Sequence, residues 1–203
     1  MSGPWAGWLV VAGITAMTVL PAPRELSAAD VQAGRRKAEP CAICHGRDGN
    51  STSPTIPSLA GQRAIYLHWQ LILYRDQRRK DPQMSPFAAN LSDADMADLA
   101  AYYETRTPVK PSTVPNDPQK LAAGERLAEI HHCVSCHAPR AQGERYPPRL
   151  TGLHYDYLVA QLRGFRAQTR AELDGTMTSA ARPLSEEDIE NLAHYLANLP
   201  LTP

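Results

Sequence analysis

The chain has 203 residues, with 21 basic and 21 acidic side chains and a formal net charge of zero. That balance gives no electrostatic footprint for nucleic acid, so no nucleic-acid partner is expected. Aromatic bulk is thin, with three Trp and only two Phe, so two small cores would need a large apolar cofactor to fill them.

Trp5 to Leu20 is a run of sixteen residues without a charge, short of the ~20 that a spanning helix needs. Ser27-Ala28-Ala29 follows, a small-residue pattern of the kind a signal peptidase cuts. Residues 1–29 are therefore expected to form a cleaved signal peptide, although no Lys or Arg precedes the apolar run. The alternative is an uncleaved N-terminal anchor that associates the protein with a membrane. Either places the remaining 174 residues, with 20 basic and 20 acidic side chains, outside the cytoplasm.

All four cysteines lie in two copies of one pattern, CAICH at 41–45 and CVSCH at 133–137. Between them the chain shows helical signals. Ile65, Trp69, Ile72 and Leu73 recur at helical steps and predict an amphipathic helix. Met84 falls in a polar segment expected to be a helix-poor loop. LSDADMADLAAYYETR then announces a last helix, with Ser92 as N-cap, Asp95 as its capping-box partner and Leu91 and Met96 as a staple. The cap alone is worth ~1 kcal/mol. Pro108 brings that helix to a stop.

TPVKPSTVPNDP, residues 107–118, holds four prolines in twelve residues and predicts a semi-rigid spacer. Beyond it the pattern starts again. YLHWQLILYRDQRR at 66–79 aligns without gaps on YLVAQLRGFRAQTR at 157–170, an offset of 91. Pro57, Leu59 and Gly61 fall on Pro148, Leu150 and Gly152, and LSEEDIENLAHYL repeats the capping box with Ser185 and Asp188. The expected domains are residues 30–113 and 114–203, both all-α. They carry +2 and −2, and the run Arg78, Arg79 and Lys80 supplies much of the first half's positive charge.

C-x-x-C is compatible with a redox dithiol, half a zinc site or, with His next, c-type haem attachment. A zinc site needs four ligands and would leave the duplicated histidines unexplained. A thioredoxin-like site calls for a neighbouring βαβ pattern, which is missing. Thioether bonds from two cysteines one helical turn apart would hold a haem, with the adjacent His beneath the iron. Cys41, Cys44 and His45 should hold one haem c, and Cys133, Cys136 and His137 a second.

Met84 and Met177 are the expected distal ligands, because they align in the repeat whereas Met96 aligns with Ile189. Pro57 and Pro148 are expected to offer backbone carbonyls to the two histidines as second-shell partners. His68, His131, His132, His154 and His194 are expected to be surface or packing residues.

On these motifs the chain resembles class I cytochrome c twice over, and more narrowly the tandem dihaem cytochromes of the c-four type. CAICHGRDGN, PSLAGQ, YLHWQL and LSDADMADLAAYY carry the resemblance in the first half. CVSCHAPRAQG, PRLTG, YLVAQL and LSEEDIENLAHYL carry it in the second, which lacks the Gly-x-Asp-Gly after its cysteines, so that loop is expected to differ. The resemblance implies a periplasmic electron carrier with two haem c groups and redox protein partners. These would be a quinol-oxidising complex or dehydrogenase upstream and a terminal oxidase downstream. The alternatives are an electron-transfer subunit of a larger dehydrogenase or oxidase complex, and a dihaem peroxidase or thiosulfate-oxidising enzyme.

Overall fold

The computed structural model describes residues 1, 3, 29–112, 114–144, 146–170 and 172–201. The expected signal segment lies outside the described residues except for Met1, Gly3 and Ala29, and so does Thr113 at the expected join. Among the described residues every regular element is helical. The first half contains α1 (Val31–Lys37), α2 (Ala42–His45), α3 (Ala64–Arg75), α4 (Met84–Ala88) and α5 (Asp93–Glu104). The second contains α6 (Pro118–Ile130), α7 (Cys133–His137), a 3₁₀ turn (Pro139–Ala141), α8 (Tyr155–Arg166), α9 (Thr176–Ala181) and α10 (Glu186–Asn198).

Short polar side chains start the first and last helices of each half, whereas α3 and α8 begin without a side-chain cap. Asp30 accepts from the N–H groups of Gln32 and Ala33, and Asp117 accepts from Gln119 and Lys120 with Pro118 at the first helical position. Both expected capping boxes form. Ser92 Oγ accepts from Asp95 N–H at 3.1 Å while Asp95 accepts from Ser92 N–H at 3.0 Å. Ser185 and Asp188 repeat this at 3.1 and 2.8 Å.

The first helix of each half crosses the last, and both crossings turn on a glycine. A Cβ at Gly34 would lie 2.0 Å from the Asp98 carbonyl oxygen, and one at Gly124 would lie 2.1 Å from that of Asn191. Only a residue without a side chain permits this approach. Behind each crossing sits a separate core. Leu67, Leu99, Ala100, Tyr102 and Tyr103 build the first. Leu158, Phe165, Ile189, Leu192 and Leu196 belong to the second. Met96 and Ile189, which align in the repeat, are both fully buried.

One expected face is corrected. The buried side of α3 runs through Leu67, Leu73 and Tyr74, while Ile65 is 38% exposed and Trp69 and Ile72 are half-buried. Apolar residues surround this helix on all sides, so periodicity could not choose the face that α5 covers. The spacer is tied to both halves. Asn50 bonds Thr107 and Val109 of the spacer, and Asn198 donates to the Pro115 carbonyl.

Candidate haem sites

Each C-x-x-C-H segment makes one short helical turn that ends on its histidine. All four thiols are free. Cys41 and Cys133 are half-buried against the core of their own half, whereas Cys44 and Cys136 are exposed. Burial pushes the Cys41 and Cys133 thiols up from their ordinary pKa. Among the described residues no three His, Cys, Asp or Glu side chains gather as a metal-ion site.

The two histidines have the same setting. His45 and His137 are each 5% exposed. His45 Nδ1–H donates to the Pro57 carbonyl at 2.8 Å, and His137 Nδ1–H donates to the Pro148 carbonyl at 2.8 Å. Burial lowers the pKa of both rings against the opposing pull of those carbonyls, which favours the neutral imidazole. The carbonyl fixes the tautomer, so Nε2 carries the lone pair available to a metal. Free thiols one turn apart beside a buried, neutral, oriented imidazole fit a covalently held haem.

The loops after the two turns close with matching hydrogen bonds despite the missing glycines, although Arg140 (φ 57°) takes a left-handed conformation without a counterpart in the first loop. Gly49 O accepts from Leu59 and Ala60 N–H at 2.6 and 3.0 Å, and Ala141 O accepts from Leu150 and Thr151 N–H at 2.8 and 3.3 Å. The second copy closes its loop with Ala138 (φ 65°) and Ala141 (φ 53°) where the first has Gly46 (φ 82°) and Gly49 (φ 80°). The expected difference is present: the second loop makes the same closing bonds over Ala138, Arg140 and Ala141 at positive φ, a strained conformation for residues other than glycine.

Met84 and Met177 do not sit in helix-poor loops. Met84 opens α4 and Met177 lies in the first turn of α9, both half-buried. Carboxylates hold these turns. Asp81 accepts from Met84 N–H at 2.8 Å and Glu172 from Met177 N–H at 2.6 Å. The sequence signal was Asp81 three residues before Met84, a local capping spacing.

Two of the histidines set aside by sequence are structural. His194 accepts from Asp117 N–H at 2.9 Å. His154 Nε2–H crosses between the halves and donates to the Ser51 carbonyl at 2.8 Å.

Further polar bonds join the halves, and sequence reasoning missed them. Gln62 Nε2 donates to Arg149 O at 2.9 Å while Gln62 Oε1 accepts from Arg149 N–H at 2.8 Å. The Arg149 guanidinium is buried and donates to the carbonyls of Ala60, Gly61 and Thr151. Burial pulls its pKa down to about 10, so it stays cationic at neutral pH. Arg79 donates to Gln70 and, at 2.9 Å, to Gln161 of the second half. Arg170 donates to Tyr66 Oη at 3.0 Å. Arg79 is thus 8% exposed and belongs to the interface, unlike its exposed neighbours Arg78 and Lys80.

A helical fold that presents two such histidine turns across a hydrogen-bonded interface is that of a two-centre haem protein. The sequence matches the Cytochrome c family over residues 31–106 and 121–200. It is 39% identical to cytochrome c4 of Pseudomonas aeruginosa, over 85% of this chain and 90% of that one. It is 35% identical to a thiosulfate dehydrogenase electron acceptor of Stutzerimonas stutzeri, over 78% of each chain. The fold superposes on the crystal structure of reduced recombinant cytochrome c4 from Pseudomonas stutzeri with a TM-score of 0.77 and 34% identity, covering 85% of this chain and 100% of that one. The chain belongs to the cytochrome c family. It comprises two cytochrome c domains, binds two haem c groups and is an electron carrier that works with redox protein partners.

Proposed function

We propose that Cys41 and Cys44 bind one haem through thioether bonds and Cys133 and Cys136 the other, with His45 and Met84, and His137 and Met177, as the axial pairs. The domains are residues 30–113 and 114–203. The observation that carries this reading is the matched pair of buried histidines, each donating Nδ1–H to a proline carbonyl at 2.8 Å. Pro57 and Pro148 keep each ring turned and raise the basicity of Nε2. When bound, the haem iron cycles between ferric and ferrous and so carries one electron, and a methionine opposite histidine raises the potential. The chain's own residues orient the ligands, bury the rings and fix the distance between the centres.

The protein acts in the periplasm once residues 1–29 are removed. Among the described residues no helix is long and apolar enough to cross a membrane. Its partners are a quinol-oxidising complex or dehydrogenase as donor and a terminal oxidase as acceptor. Similarity to a thiosulfate dehydrogenase electron acceptor supports a second reading, in which the donor is a dehydrogenase acting on a sulfur compound.

Mass spectrometry of the protein from its native host tests the attachment and the cleavage together. The mass should equal residues 30–203 plus two haem groups, and the reduced protein should resist carbon monoxide. A haem-free product, or rapid carbon monoxide binding at either iron, overturns the reading.

A further inference from the structure

One peptide group lies between the two halves and touches a proposed iron ligand. The Pro148 carbonyl accepts from His137 Nδ1–H at 2.8 Å. The N–H of that same peptide group belongs to Arg149, and it donates to Gln62 Oε1 at 2.8 Å. Gln62 comes from the other half. A hydrogen-bonded chain therefore runs from Gln62 through one amide to the His137 ring. Gln62 Nε2 closes the clamp on Arg149 O at 2.9 Å, and the group is buried, with Gln62 3% and Arg149 5% exposed.

We infer that Gln62 of the first half is a positioning residue for the second haem, strengthening the bond that His137 makes to Pro148 and so lowering that haem's potential. The inference rests on His137 being an axial ligand. An amide polarised at its N–H is a better acceptor at its C=O, and hydrogen-bond chains in a low-dielectric interior strengthen one another. A stronger acceptor at Nδ1 makes the imidazole more basic, which favours ferric iron.

Among the described residues the first half shows no such device. Its corresponding peptide joins Pro57 to Ser58, and the position equivalent to Gln62 in the second half is Leu153, which cannot bond it. Ser58 instead receives the Ser51 N–H on its hydroxyl. The two modules thus differ where their sequences are otherwise in register, and the difference acts in one direction only.

The test uses the complete dihaem protein, labelled with ¹⁵N-histidine and studied in the reduced, diamagnetic state. Gln62→Leu, which copies the residue of the other module, should move the His137 Nδ1 resonance towards a weaker hydrogen bond and leave His45 unchanged. The equilibrium constant for reducing the second haem should rise about threefold, about 28 mV at 59 mV per decade for one electron. The first haem should keep its potential.

Gln161→Leu is the control, since it removes another contact between the halves, the one from Arg79, without touching the Pro148–Arg149 peptide. It should leave His137 Nδ1 in place. Gln62→Glu keeps an oxygen for Arg149 N–H and should move the Nδ1 resonance the opposite way from Leu. An unmoved Nδ1 resonance in both Gln62 variants overturns the inference, as does an equal shift at both haems or the same shift in Gln161→Leu. If the wild-type His137 Nε2 does not show the shift of a metal-bound nitrogen, the ligand assignment itself has failed.

Discussion

Replacing Ala138 with glycine should stabilise the second domain. Ala138 has φ 65° and ψ 164°, a conformation essentially reserved for glycine, and Gly46 holds φ 82° and ψ 154° at the matching place in the first copy. A non-glycine residue there costs on the order of 1–3 kcal/mol. Glycine returns about 0.5–1 kcal/mol of that through the greater freedom of the unfolded chain. The net expectation is about 1 kcal/mol of added stability, or about 4–8 °C in Tm for a domain of this size. Thermal unfolding of the oxidised holoprotein, followed by far-ultraviolet circular dichroism and by Soret absorbance, measures it. Gly46→Ala is the mirror experiment. Its new Cβ would meet the Asn50 carbonyl oxygen at 2.1 Å, so it should lower stability by more than strain alone, about 3 kcal/mol. Loss of stability in Ala138→Gly, or a neutral Gly46→Ala, would refute the argument that the backbone at these two positions favours glycine.

Met84→Ala should open the first iron to carbon monoxide in the reduced protein and lower its potential, because the thioether favours ferrous iron. Met96→Leu should be nearly silent in the same assay, since Met96 is fully buried in the core and the change conserves volume. Arg78→Glu combined with Lys80→Glu reverses exposed charge and should slow reaction with an acidic partner by an amount that salt erases, both haem spectra staying unchanged. Arg79→Ala should instead cost about 1–3 kcal/mol in chemical denaturation, because it leaves Gln70 and Gln161 without their buried donor.

Much of this was legible because duplication supplies its own control. The aligned capping serines, the two C-x-x-C-H turns and the pairing of Met84 with Met177 each appear twice at a nearly constant offset. Local signals also transferred well. Ser92 with Asp95 specifies a helix start without reference to anything distant, and that start is where it was expected. What stayed hidden depends on who meets whom. Gly34 and Gly124 look like ordinary helix glycines until the partner helix is seen 2.0–2.1 Å from their absent Cβ atoms. Arg79 sits between exposed Arg78 and Lys80 and reads as one surface charge among three. It is buried against Tyr74 and Gln70 of its own half and Gln161, 82 residues away.

The same dependence explains how two copies of one module come to differ. Arg79 and Arg170 occupy equivalent positions and each reaches into the other half, Arg79 donating to Gln161 and Arg170 to Tyr66. Where the copies also diverge in sequence, the contacts become one-sided. Ser58 and Arg149 are equivalent, and only Arg149 drives a guanidinium into its neighbour's backbone. Gln62 and Leu153 are equivalent, and only Gln62 can bond a peptide. Neither change touches a cysteine, a histidine or a methionine of the proposed ligand set. Two centres with the same ligand set can have different potentials only if something outside that set differs between them. The interface can supply that difference, by polarising one peptide group in one domain with a side chain supplied by the other.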